Sequence, residues 1–228
     1  MLKSFNSLYS FIVLSVMLSL SALCTAAPTV GGDVWVGNET RIDGLQWADQ
    51  SAVGANVSAS VNHLFAKASA SRVDLDNTTV SNPTALYSVG GGVASKVLGV
   101  DVSVSANGHQ FRDDKDIIVS YRDVKVGVAK TVGPVALAAE GAYTPKLLGN
   151  YDSAYSGKVS ASTKVLGLDV GVTYGKVGQV YSYADVTASH KLTDNLSVEV
   201  GYHDVKDLDG SLVNVLVDNA SAKLKYKF

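Results

Sequence analysis

From about residue 33 to the C-terminus, apolar and polar residues alternate almost one by one, and nothing else in the chain constrains its fold as strongly. Leu196, Val198, Val200 and Tyr202 point one way, while Ser197, Glu199, Gly201 and His203 point the other. Leu168, Val170, Val172 and Tyr174 alternate in the same manner with Asp169, Gly171, Thr173 and Gly175. Val53, Ala55, Val57, Ala59 and Val61 alternate with Gly54, Asn56, Ser58, Ser60 and Asn62, and Tyr155, Val159 and Ala161 with Lys158, Ser160 and Ser162. No stretch sustains a period of 3.6, so the expectation is an all-β fold. Hydrophobic residues make up 46% of the chain, yet beyond the first thirty residues they never form the run of about 20 that a membrane-crossing helix requires.

The N-terminus reads as a targeting segment. Lys3 supplies the positive end, Phe11 to Leu23 the apolar stretch, and Thr25-Ala26-Ala27 the small residues for cleavage. The expected division is a signal peptide over 1–27 and a mature domain over 28–228. Cys24, the only cysteine, follows Leu23, where a lipidation signal needs a small residue. It is therefore expected to leave with the signal, so that the mature chain has neither a disulfide nor a thiolate metal site.

The alternation predicts twelve strands, near 33–40, 51–62, 64–73, 85–97, 99–109, 116–131, 134–145, 153–166, 168–177, 180–192, 195–206 and 211–228. Most reach the 9–11 residues that a tilted membrane-spanning strand needs. Short turns at Asn62–Leu64, Val97–Gly99, Val132–Pro134, Leu166–Leu168 and Thr193–Asn195 alternate with longer links near 41–50, 74–84, 110–115, 146–152 and 207–210, the link near 178–180 being a short exception. Short turns on one side and long loops on the other mark outer-membrane barrels, and an even strand number returns both termini to the turn side. A weak internal echo sits at the turns: Lys96-Val97-Leu98-Gly99-Val100-Asp101 returns as Lys164-Val165-Leu166-Gly167-Leu168-Asp169, with Lys130-Thr131-Val132-Gly133-Pro134-Val135 between.

The last residues carry the strongest pointer. Ala220, Ala222, Leu224, Tyr226 and Phe228 share one face, and Ser221, Lys223, Lys225 and Lys227 the other. In a barrel, lipid covers the first face, and the aromatic pair sits at the membrane interface. Leu224, Tyr226 and the terminal Phe228 also resemble the signal read by the barrel-assembly machinery of Gram-negative bacteria. The C-terminal half, from Tyr121-Arg122-Asp123-Val124-Lys125-Val126-Gly127 onward, resembles the TorF-like porin family. The likeness runs through Tyr143-Thr144-Pro145, Asn150-Tyr151-Asp152, Gly201-Tyr202-His203-Asp204 and Tyr226-Lys227-Phe228. The first strand, Asp33 to Glu39, lacks the aromatic-Arg-Gly pattern expected of that family there. The resemblance implies a small outer-membrane porin.

Few residues suggest chemistry. The net charge of −2 offers no basic surface for nucleic acid. Of His63, His109, His190 and His203, only His190 adjoins a serine, and on a strand Ser189 and His190 face opposite sides. No catalytic residue, cofactor or metal is expected. The acidic stretches Arg112 to Asp116 and Asp204 to Asp209 lack the spacing of a calcium loop and read as solvated loops, and Gly90-Gly91-Gly92 reads as a site of close packing within a strand.

The remaining candidates are the charged residues on the polar parity: Lys96, Lys125, Glu140, Lys158, Lys164, Asp169, Asp185, Lys191, Glu199, Lys223 and Lys225. In a water-filled barrel these face the lumen and set ion selectivity, and their lysine excess points to a mild preference for anions. The expected function is passive diffusion of ions or small polar solutes across the outer membrane. The expected partners are outer-membrane lipid, the barrel-assembly machinery and the solutes themselves. A closed barrel acting through its loops is the alternative, and a membrane-lipid enzyme a more distant one.

Overall fold

The computed structural model describes residues 27–42, 45–48, 51–73, 84–112, 117–145, 153–207 and 219–228. The strands are β1 Thr29–Gly37, β2 Thr40–Ile42, β3 Leu45–Ala48, β4 Ala52–Val61, β5 Leu64–Arg72, β6 Ala85–Val97 and β7 Val100–Arg112. They continue as β8 Ile117–Val132, β9 Val135–Thr144, β10 Ala154–Val165, β11 Leu168–Val177, β12 Tyr181–Lys191, β13 Leu196–Asp207 and β14 Asn219–Lys227. Twelve of them close an antiparallel barrel in the order β1-β14-β13-β12-β11-β10-β9-β8-β7-β6-β5-β4, and β2 and β3 form a separate two-stranded sheet.

The number of wall strands and most boundaries agree with the alternation, and the differences have local causes. β1 begins at Thr29, four residues before the alternation becomes visible, because β4 pairs with it from Thr29 onward. The Gly32 and Phe228 backbones also exchange hydrogen bonds at the closing seam. Beyond Gly37 the Asn38 amide makes a last backbone bond to the Ala222 carbonyl at 3.2 Å, and its side chain then continues the pairing: Oδ1 accepts from the Ala222 amide at 2.7 Å, and Nδ2 donates to the Ala220 carbonyl at 3.1 Å. The link expected over 41–50 contains the β2–β3 hairpin. Within the strand expected over 211–228, the segment 211–218 lies outside the described residues, as do residues 1–26 of the expected signal peptide.

Following the paired residues once around the wall returns to β1 displaced by about sixteen positions, which tilts the strands by about 45° and gives a backbone diameter of about 24 Å. The outer face is a valine-rich band that includes Val34, Val36, Val126, Val128, Val172 and Val200, all exposed to the surroundings. Tyr87, Tyr143, Tyr155, Tyr174 and Tyr202 are exposed on the same face toward the loop ends of their strands, and Tyr226 and Phe228 at the turn end. From Val135 to Tyr143 the outward positions of β9 span roughly 26 Å along the strand, or about 20 Å across a membrane at such a tilt. Aromatic girdles at both rims of an apolar band are what a bilayer selects.

The turns explain the internal echo. Leu98 and Gly99 have φ of +51° and +77°, and Leu166 and Gly167 have +51° and +83°, so each pair occupies both left-handed positions of a two-residue hairpin.

The inward face is mixed. Toward the loop end, two apolar clusters stand on nearly opposite walls: Val177, Tyr181, Tyr183 and Val205 on β11–β13, and Val73, Leu86 and Phe111 with Tyr121 on the β5–β8 side. Elsewhere the inner wall is small and polar. Trp35 lies against Gly54 and Tyr183 against Gly175, each ring filling the space where the paired glycine lacks a side chain. The glycines let the rings lie along the wall instead of across the lumen. Gly90 in the triple-glycine stretch likewise makes room for the Asn107 amide.

Candidate functional site

The candidate site is the charged inner wall, and cross-strand pairing decides which of its residues meet. Glu140 on β9 is directly opposite Lys158 on β10, with Oε1 and Nζ 3.2 Å apart. Lys125 on β8 approaches the same Glu140 oxygen at 3.6 Å and Asp123 at 3.8 Å. The result is a band of alternating sign across three adjacent strands, with each carboxylate next to at least one lysine. A recess of about 250 Å³ opens beside it, lined by Ala94, Ser103, Gly127, Ala138, Glu140 and Lys158. Small side chains on β6–β9 leave that space open, and charged groups border it.

Nearer the turns, pairing joins Lys96 to Asp101 and Lys164 to Asp169, each at 3.5 Å. These are the two copies of the turn echo, and both pairs are well exposed, so screening leaves each worth ~0–1 kcal/mol. On the seam side Lys225 meets Glu199 at 3.6 Å, while Lys223 lies 5.4 Å from the Trp35 ring centre, within cation–π range. Asp185 is directly opposite His203, and the two side chains bond at 2.7 Å. Lys191 is exposed at the turn end of β12. Every one of these charges sits on the parity opposite the valine band.

Two histidine clusters were not foreseen from the sequence. His203 on β13 shares its Nδ1 with Asp185 at 2.7 Å and its Nε2 with Ser221 Oγ at 2.8 Å. On the far wall His109 on β7 shares Nδ1 with Ser88 Oγ at 2.8 Å and Nε2 with Asp123 at 3.0 Å, and stacks on Tyr121 at 4.4 Å. Asn107 donates to the same Asp123 at 2.5 Å. In the barrel order β13 and β7 stand six strands apart, directly across the ring. The partners are 14 to 21 residues apart in sequence, so only the strand pairing reveals them.

Ser221–His203–Asp185 has the connectivity of a hydrolase relay. The chemistry needs more: donors aimed at a developing oxyanion and room for an acyl group. Ser221 lies on β14 between β13 and β1, and Ser88 on β6 between β5 and β7, where backbone N–H groups serve the sheet ladder. A second carboxylate, that of Glu39, stands 3.3 Å from His203 Nε2 and would repel an oxyanion formed there. The arrangement is that of a hydrogen-bonded wall network. Among the described residues no group of three or more His, Cys, Asp or Glu side chains could hold a metal ion.

No family model and no curated protein matches this chain. Solved structures do. The KdgM porin is similar with a TM-score of 0.58 at 10% identity, covering 87% of this chain and 98% of its own. The COG4313 outer membrane channel from Pseudomonas putida F1 is similar with a TM-score of 0.50 at 10% identity, covering 90% and 96%. The outer membrane phospholipase A from Escherichia coli is similar with a TM-score of 0.50 at 13% identity, covering 89% and 91%. The shared feature is the fold, a closed outer-membrane β-barrel, and porins and channels are prominent among the proteins that have it.

Proposed function

We propose that the mature chain, 28–228 after removal of the signal segment, is an outer-membrane porin through which ions and small polar solutes diffuse passively. The observation that carries this reading is the division of the wall: valine and tyrosine outside, lysine, carboxylate, serine and glycine inside a ring about 24 Å across. A wall so divided is stable with lipid on one side and water on the other. The likeness to porins supports the same reading, and membership of the TorF-like group remains part of the proposal. Leu224, Tyr226 and Phe228 serve as the assembly signal.

The lumen set Lys96, Lys125, Glu140, Lys158, Lys164, Asp169, Asp185, Lys191, Glu199, Lys223 and Lys225 carries more lysine than carboxylate, which favours anions mildly. One of the similar structures is described as a KdgM porin in complex with disordered oligogalacturonate. Small acidic sugars are accordingly the first solutes to try. Liposome swelling with the refolded mature chain tests this: influx of sugar acids at least as fast as that of neutral sugars of equal size is expected, and impermeability to both would contradict it.

One observation favours a narrower opening than the ring allows. Glu39, on the segment that leaves β1, is fully buried against the inner wall at His203. A closed barrel acting through its loops is the second reading.

A further inference from the structure

The residues that lead into the β2–β3 hairpin are fastened to the inner wall. Asn38 makes the last backbone bond to β14 and extends the pairing with its side chain, and the backbone leaves the wall immediately afterward. Glu39 then turns inward with 0% of its surface exposed. Its Oε1 meets Arg41 Nε at 2.7 Å and lies 3.3 Å from His203 Nε2, an ion pair when the imidazole carries both protons. The next residue, Thr40, donates from Oγ1 to the Arg72 carbonyl at 2.8 Å, at the end of β5. In wall order β13, β14, β1, β4 and β5 are consecutive. Two adjacent residues thus touch walls separated by three intervening strands, which they can do only from inside the ring.

We propose that Glu39 is a latch that holds the β2–β3 hairpin across the loop-side mouth of the lumen. Asp185 orients His203 from its other nitrogen at 2.7 Å, and Ser221 Oγ bonds Nε2 at 2.8 Å, so the receiving side is fixed by three strands, β12, β13 and β14. The Glu39 side is less complete. Its second oxygen, Oε2, is buried without a hydrogen-bond partner. A carboxylate held by one oxygen only gains water on leaving, so the latched arrangement stays put but can be released. Arg41 belongs to the hairpin itself, whereas His203 belongs to the wall, so the Glu39–His203 contact is one that release must break. Release clears the mouth beside the Val177, Tyr181, Tyr183 and Val205 cluster and widens the path. This last effect rests on the porin reading; the latch itself does not.

Two readouts on the full mature chain, refolded in vesicles, test the latch. Amide hydrogen exchange over Thr40–Ala48 reports the hairpin whether or not the barrel conducts. Glu39→Gln keeps the size of the side chain and removes its charge; His203→Phe removes the receiving nitrogen. Each is expected to speed exchange of the hairpin amides at least tenfold while the amides of β6–β11 stay protected, and the double variant to add little to either single one. Should either single variant fail to fold, Asp185→Asn, which unseats His203 without touching the hairpin, is expected to act in the same direction. Unchanged hairpin protection in the folded variants would overturn the latch. Single-channel current is the second readout: larger or more frequent open steps accompany loss of protection if the barrel is a pore. Lost protection in a barrel that stays silent upholds the latch and overturns the pore.

Discussion

Glu140 stands between two lysines, its Oε1 3.2 Å from Lys158 Nζ and 3.6 Å from Lys125 Nζ. One carboxylate therefore neutralises part of two cationic charges at the edge of the recess of about 250 Å³. Glu140→Gln leaves both lysines in place and removes their counter-charge. The expected result is a shift of reversal potential toward anions in a salt gradient, by about twofold in the permeability ratio. Lys158→Glu is expected to shift it the opposite way. An unchanged ratio in both would mean that permeating ions do not pass this band.

The outer band makes a second, independent expectation. Val126 faces outward with 49% of its surface exposed, and its neighbour Lys125 faces inward. Val126→Arg is expected to destabilise the barrel in lipid by about 2–4 kcal/mol, the cost of an arginine near the bilayer midplane. Lys125→Arg, on the other parity, is expected to cost less than ~1 kcal/mol. Urea unfolding in vesicles measures both, and equal costs would place the wrong face against lipid.

Leu98 and Leu166 are 97% and 99% exposed and hold φ of +51°, a conformation that L-residues with a branched side chain adopt at a cost. Neither leucine has packing to lose. Replacement of either by Asn is expected to stabilise the barrel by about 0.5–1 kcal/mol through the turn alone, read as a rise in the urea midpoint. A fall would indicate that the leucines are covered by something at the turn rim.

The rings on the wall give a third structural test. Tyr183 lies where Gly175 has no side chain. Gly175→Ala forces the ring off the wall toward the lumen, at about 1–3 kcal/mol of strain if it cannot move freely. Lower conductance with retained strand content is expected; full conductance would show that the ring does not border the path.

The parts of this structure that the sequence discloses are those governed by neighbours along the chain. Alternation is local, so the parity of Lys125, Glu140 and Lys158 could be read from Tyr121 to Ala161 without knowing which strand pairs with which. The turn echo was visible for the same reason, since Leu98-Gly99 and Leu166-Gly167 set their own dihedrals. What escaped was set by closure. Gly31 and Gly32 carry no alternating signal, yet they are in β1 because β4 and the terminal Phe228 pair with them. Ser88, His109 and Asp123 become neighbours only through the register of β6, β7 and β8. The inward turn at Glu39 left no period at all. Its one trace in sequence is the placement of a carboxylate and Arg41 two residues apart at the end of a strand.

Single-channel conductance of the refolded mature chain in a planar bilayer, under a salt gradient, tests the porin reading most directly. Discrete, reproducible steps with a reversal potential on the anion side are the expected result. Correctly folded, inserted protein that passes no current, in the wild type and in Glu39→Gln alike, would contradict it.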